Sequence, residues 1–373
     1  MAHAYTPGLR VAQRATVRKH RQLPLKGDVL VSEGDAVRRD QVVARTDLPG
    51  NVTTLNLVNR LSVTPAELPA YMLVKTGDAV QAGEPVAETR PLIKWFKTTV
   101  ASPVTGTVEG ISSVTGQVII REPPRPVQIY AYIDGTVVET IPGEGVGIET
   151  SGAFIQGIFG IGGERWGRLH VLADASAPVL NEDRIGPECE GKIVVAGGLL
   201  PLGAIRKAQA AGAVGLIGGG IRDKDLRDLL GYDLGVAITG TEDIGITVIV
   251  TEGFGEIRMA RKTFDILSAH SGREASISGA TQIRAGVLRP EIIIPDAAGS
   301  ASQGAQKAQE GLKPGALLRV IRIPYFGRIG RVHALPPELR ELESGVRARV
   351  LEVAFEDGST ATVPRANVEL IEE

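Results

Sequence analysis

Arg319, Arg322, Arg328 and Arg331, with His333 close behind, stand around Tyr325 and Phe326. That combination suits phosphate contacts beside an aromatic stacking platform. No acidic residue interrupts positions 311–337, although residues 313–373 as a whole hold nine basic and nine acidic residues. The same residues therefore admit a plainer role, with the arginines on a solvated face and Tyr325 and Phe326 plugging a small core. A second group of candidates closes three apolar runs: Gly219 and Gly220, then Thr239 and Thr241, then Thr251, Glu252, Gly253 and Gly255. On a parallel sheet these would converge at the carboxyl edge, where doubly wound folds bind ligands, and a helix starting near Glu256 would aim its amides there. Glycines at such ends also simply make tight turns, and neither GxGxxG nor P-loop spacing is present, so a nucleotide is not indicated.

Catalytic signals are weaker. The histidines at 3, 20, 170, 270 and 333 are scattered without metal-ligand spacing, and no serine sits in a GxSxG elbow. Cys189 lies between Glu188 and Glu190, a setting that disfavours the thiolate and makes a poor nucleophile. Acidic residues such as Glu242, Asp243 and Glu252 serve as turn and cap residues more often than as acid–base pairs. No catalytic residue, metal or cofactor is expected from these patterns. With one cysteine, an internal disulfide is ruled out, and a reducing compartment follows.

The elements that must position these residues are short strands. Gly 46 and Pro 22 against only 4% aromatic residues favour tight turns between them, and 373 residues exceed one ordinary core. A net charge of -2 excludes a chain-wide grip on nucleic acid or an anionic membrane, so any such contact is local. The first 26 residues are basic but lack an apolar signal core, and no later run reaches membrane-spanning length. A cytoplasmic protein without membrane contact is the expectation.

An internal repeat organises the N-terminal part. Val31-Ser-Glu-Gly34-Asp35-Ala36-Val37 returns as Val74-Lys-Thr-Gly77-Asp78-Ala79-Val80, an offset of 43, and Gly106-Thr107-Val108 echoes in Gly135-Thr136-Val137. Each copy reads as strand, Gly-Asp turn and strand. Residues 1–150 are taken as one β unit and 151–190, containing Gly157-Ile-Phe-Gly-Ile-Gly-Gly163, as a glycine-rich connector. Residues 191–295 show a βαβ rhythm and read as a small parallel or mixed α/β sheet: strands at 192–195, 214–217, 236–239, 246–250 and 275–278, with helices at 202–211, 223–230 and 256–270. A polar linker at 296–314 and a β domain at 315–373 complete a multi-domain chain of α/β and β units.

With Val100-Ala-Ser-Pro103-Val-Thr-Gly106-Thr-Val108, the repeat resembles the barrel-sandwich hybrid of biotinyl and lipoyl domains. Its hairpin carries Lys94 and Lys97 but neither Asp-Lys nor Met-Lys-Met, so the resemblance implies an unmodified structural domain, with a carrier modified on Lys94 or Lys97 as the lesser alternative. The longer hairpin is more similar to the barrels of NqrA and RnfC electron-transport subunits. Leu318-Arg319-Val320-Ile321-Arg322-Ile-Pro324-Tyr325-Phe326-Gly327-Arg328-Ile-Gly330-Arg331-Val332 resembles the KOW motif of NusG-type transcription factors, an SH3-like barrel. That resemblance implies binding of RNA, RNA polymerase or another protein. The Gly157–Gly163 loop faintly resembles the flavin-nucleotide loop of RnfC-type subunits. Together these readings lead to a non-catalytic binding or scaffold protein that engages RNA or a transcription- or translation-associated complex through its KOW-like barrel. The alternative is a small-ligand or flavin-binding subunit of an electron-transfer enzyme that uses the central α/β rim.

Overall fold

A computed structural model of the chain describes residues 9–89, 97–172, 177–232, 242–281, 288–296, 314–320, 324–325, 328–336, 339–341, 347–355 and 357–370. The fold is β-rich, with several sheets and few helices.

The N-terminal strands are β1 (Val11–Gln22), β2 (Asp28–Val29), β3 (Ala36–Val37), β4 (Val42–Leu48) and β5 (Val52–Asn56), followed by the short helix α1 (Leu57–Leu61). Next come β6 (Ala79–Val80), β7 (Pro85–Glu88), β8 (Thr99–Ala101), β9 (Gly106–Ile111), β10 (Gln117–Arg121), β11 (Arg125–Tyr130), β12 (Gly135–Ile141) and β13 (Gly145–Gln156). The repeated Gly-Asp turn closes identically in both copies. Gly34 at φ 93° and Gly77 at φ 95° adopt a conformation that side chains with a Cβ rarely take. Beside them, Asp35 accepts from the Ser32 amide at 2.8 Å and Asp78 from the Lys75 amide at 2.7 Å. The freed glycine amides then donate across the turn, Gly34 to Val137 O and Gly77 to Val108 O, each at 2.8 Å.

Cross-strand register shows how the copies are related. In β4 and β11 the partners are Val42 with Tyr130, Ala44 with Ile129 and Arg45 with Gln128. In β7 and β8 they are Pro85 with Ala101, Ala87 with Val100 and Glu88 with Thr99. Every first-strand partner is displaced by +43 and every second-strand partner by −29. Opposite signs mean that one copy is nested inside the hairpin of the other. Residues 49–124 lie between Leu48 and Arg125, the last pair of the outer β4–β11 hairpin. At the neck, Glu122 N donates to Asn51 O at 2.9 Å, and a Cβ on Gly50 would stand 1.8 Å from Glu122 O. The inner copy buries its own core, including Leu57, Leu68, Val80, Val108 and Ile120. The outer copy buries Val17, Val37, Val43, Tyr132 and Ile148.

The middle of the chain supplies β14 (Phe159–Ile161), β15 (Glu164–Val171), β16 (Lys192–Val195), α2 (Leu202–Ala210), β17 (Gly215–Ile221), α3 (Asp223–Leu230), β18 (Thr247–Phe254), α4 (Arg261–Ala269), β19 (Glu274–Ser278) and β20 (Glu291–Pro295). The sheet is mixed: β15, β16, β17 and β18 run parallel, while β14 and β19 pair antiparallel at their flanks. It does not stop at the N-terminal unit. The order β14-β18-β17-β16-β15-β19-β20-β13-β12-β3 is continuous, with β1 on β13. Residues 151–190, expected to be a connector, thus carry the end of β13 and all of β14 and β15. Parallel strands covered on both sides need apolar residues at successive positions, and after Lys192 β16 has them, with Val194 in one core and Ile193 and Val195 in the other. Helices α2 and α3 cover the first face through Ala204, Ile205, Ala208 and Leu226, and α4 covers the second through Ile266 and Leu267. The expected strand at 236–239 lies outside the described residues. The helix expected from Glu256 starts only at Arg261, because the chain before it is not helical and Met259 N donates to Gly197 O at 2.8 Å.

The C-terminal strands are β21 (Leu317–Val320), β22 (Ile329–Ala334), β23 (Leu339–Glu341), β24 (Arg347–Phe355), β25 (Thr360–Pro364) and β26 (Val368–Leu370). They form one sheet, β23-β24-β22-β21-β26, with β25 on β24. Period-2 alternation puts Leu318, Val320, Val332, Leu351, Val353, Phe355 and Val363 into one core. The expected linker lies outside the described residues except for its ends, Asp296 and Pro314.

Candidate functional site

Two sets of candidate residues, chosen for unrelated reasons and 67 positions apart, meet at the carboxyl end of β18. Leu318 and Val320 point into the C-terminal core, so Arg319 between them faces the other way, toward the central sheet. There its Nη2 donates to Oε2 of Glu252, and the two side chains are 8% and 7% exposed. The other carboxylate oxygen of Glu252 accepts from Ala260 N at 2.9 Å, at the entrance to α4. The place at which a helix N-terminus was expected to receive a ligand's anion thus receives the protein's own carboxylate. Among the described residues, Nη1 of Arg319 is buried without a hydrogen-bond partner.

Beside this pair the glycines admit backbone. A Cβ on Gly219 would stand 2.3 Å from Ile257 O, and one on Gly220 would stand 2.3 Å from Gly255 O. The segment leading to α4 therefore lies directly across the end of β17, in the crevice where a ligand was expected. Gly253 and Gly255, at φ 125° and 114°, turn the chain into that crossing. Thr251 is buried, its hydroxyl donating to Gly218 O at 3.3 Å. Thr239 and Thr241 lie outside the described residues.

In the C-terminal sheet the candidates part company. Tyr325 packs on Phe355 with ring centroids 5.6 Å apart and belongs to the core's edge, as the plugging role expects. Arg328 stacks 3.8 Å above the Phe355 ring and pairs with Asp357 at 2.5 Å. Bonds from the Ser359 hydroxyl and amide, then Arg328, hold the exposed Asp357 carboxyl below its usual range. Arg331 is exposed and donates to Gly315 O at 3.0 Å. Arg322 and Phe326 lie outside the described residues.

A polar seam that the sequence did not signal joins the N-terminal strands to the central sheet. Arg21 grips Glu164 with two bonds of 2.8 Å and stacks 5.3 Å from the Tyr132 ring, while Lys19 meets Glu291 at 2.5 Å. Tyr132 is fully buried at φ 69°, a backbone region that strains a bulky residue. Burial first, and the Glu291 and Glu164 carboxylates next, hold its phenol protonated well above the ordinary tyrosine range. That is the setting of a neutral, structural tyrosine.

Lys94 lies outside the described residues, and Lys97 pairs with Glu88 at 2.7 Å beside the β7–β8 hairpin. The segment expected to hold a flavin nucleotide is the edge strand β14, where Gly160 N donates to the Thr281 hydroxyl at 2.9 Å. Among the described residues, one cluster has metal-ligand character, His170 with Glu188 and Cys189, which sequence spacing did not suggest. No helix among the described residues is long and apolar enough to cross a membrane. The sequence matches no protein-family model and no curated protein.

Proposed function

We propose that this chain is a non-catalytic binding or scaffold protein. Its C-terminal sheet acts as a KOW-like SH3 barrel that engages RNA or an RNA-containing transcription or translation complex. Its nested N-terminal copies act as an unmodified barrel-sandwich hybrid. The supporting observation is the outer face of β22, β24 and β25. Alternation turns Val332 inward and leaves Arg331 and His333 exposed. Cross-strand partners add Thr360 and Thr362, also exposed, and Arg340 reaches this face, 4.0 Å from the Glu352 carboxylate. A cationic, hydroxyl-rich strand face suits phosphate contacts.

Binding of a mixed-sequence RNA to the full chain at low and moderate salt tests this. Arg331→Ala and Arg340→Ala should each weaken binding and lower the salt slope by about one. Unchanged affinity and slope in the double variant would remove the RNA reading. Arg328→Ala is the wrong probe, because that side chain braces Phe355 and Asp357.

A further inference from the structure

We propose that His170, Glu188 and Cys189 form a binding site for a zinc-type divalent cation. An imidazole nitrogen, a carboxylate oxygen and a thiol sulfur from these residues all lie within 4.8 Å of one another. They come from two elements. His170 is carried by β15, where Leu169 points into one core of the central sheet, so that His170 faces the other side. On that other side lies the one-turn segment Pro187–Cys189, whose Cys189 belongs to the core shared with Val194, the cross-strand partner of His170. Glu188, though exposed, does not extend into solvent. It curls back over its own turn, where a Cβ on Gly186 would stand 2.4 Å from its Oε2. The glycine leaves room for the carboxylate to lie beside the sulfur.

The donor set selects the ion. Calcium and magnesium take oxygen ligands, whereas sulfur and imidazole together favour zinc and its neighbours. A tetrahedral zinc with bonds of about 2.0–2.3 Å places its ligand atoms roughly 3–4 Å apart, so small side-chain rotations complete the site. Three protein ligands leave a fourth position for water or an exogenous ligand. On binding, the Cys189 thiol forms its sulfur–metal bond and releases its proton to solvent.

Cobalt(II) titrated into the reduced full chain is the probe. One equivalent should raise a near-ultraviolet thiolate-to-cobalt band and the visible bands of a four-coordinate ion, and zinc should abolish both. Cys189→Ser should remove the charge-transfer band. Because that sulfur is a core atom, Glu188→Gln is the decisive variant: it alters an exposed side chain, and its fold is checked by circular dichroism. It should weaken cobalt and zinc binding at least about tenfold, as should His170→Gln. Absence of the band in the unaltered chain, its survival in Cys189→Ser, or unchanged affinity in Glu188→Gln and His170→Gln would each overturn the site.

Discussion

Glu252 serves two structural partners at once, closing the entrance of α4 through Ala260 and neutralising Arg319 across the contact between sheets. Both charges are almost wholly out of water, so each depends on the other. Removing one partner of a buried pair costs about 3–5 kcal/mol, because the survivor is left uncompensated. Arg319→Met should therefore lower stability by about that amount in urea unfolding followed at the C-terminal sheet. Adding Glu252→Gln, which keeps an acceptor for Ala260, should restore at least half of the loss. Additive effects of the two changes would mean that the pair is not coupled. Both residues were legible as special from their neighbourhoods, Arg319 as a cation among arginines and Glu252 as an acid at a strand end. Their meeting was not legible, because a contact across 67 residues leaves no trace in local pattern. The same holds for His170 and Cys189, which meet because the turn that carries Cys189 leads into β16 and β16 runs beside β15.

At the level of elements, the two offsets of the repeat were visible in the sequence, but their opposite signs carry the topology. A tandem duplication would shift both strands of a hairpin in the same sense. The nested arrangement makes the outer copy's pairing independent of what fills its tip, since the Leu48–Arg125 step closes β4 against β11. Replacing residues 49–124 with an Asn-Gly turn should therefore leave the remaining strands folded, with far-ultraviolet dichroism lost only in proportion to the residues removed. Wider collapse would show that the inner copy props up the outer one. Helix positions were read well where apolar residues recur at helical spacing, as in α2 and α3. The start of α4 was misplaced because close backbone packing over Gly219 and Gly220, not propensity, keeps residues 257–260 out of the helix.

For the whole molecule, the continuous sheet matters most. A boundary at residue 150 looks natural in composition, yet it falls inside β13, which pairs with β1 along almost its whole length, and on its other edge with β12 over one half and with β20 over the other. Composition changes there because the covering changes from turns to helices, while the strand runs on. Amides of β13, β20 and β16 should consequently exchange with a common opening free energy, whereas those of the inner copy and of the C-terminal sheet, which have separate cores, should open on their own. Distinct exchange energies on the two halves of β13 would contradict a shared unit. The neck at Gly50 and Glu122 sets the motion left to the inner copy. A carrier that ferries cargo between stations hangs from a single leash and pivots freely; this module hangs from two bonded rails. Two rails resist rotation about the neck where one leash would allow it, so the module meets a partner in a set orientation.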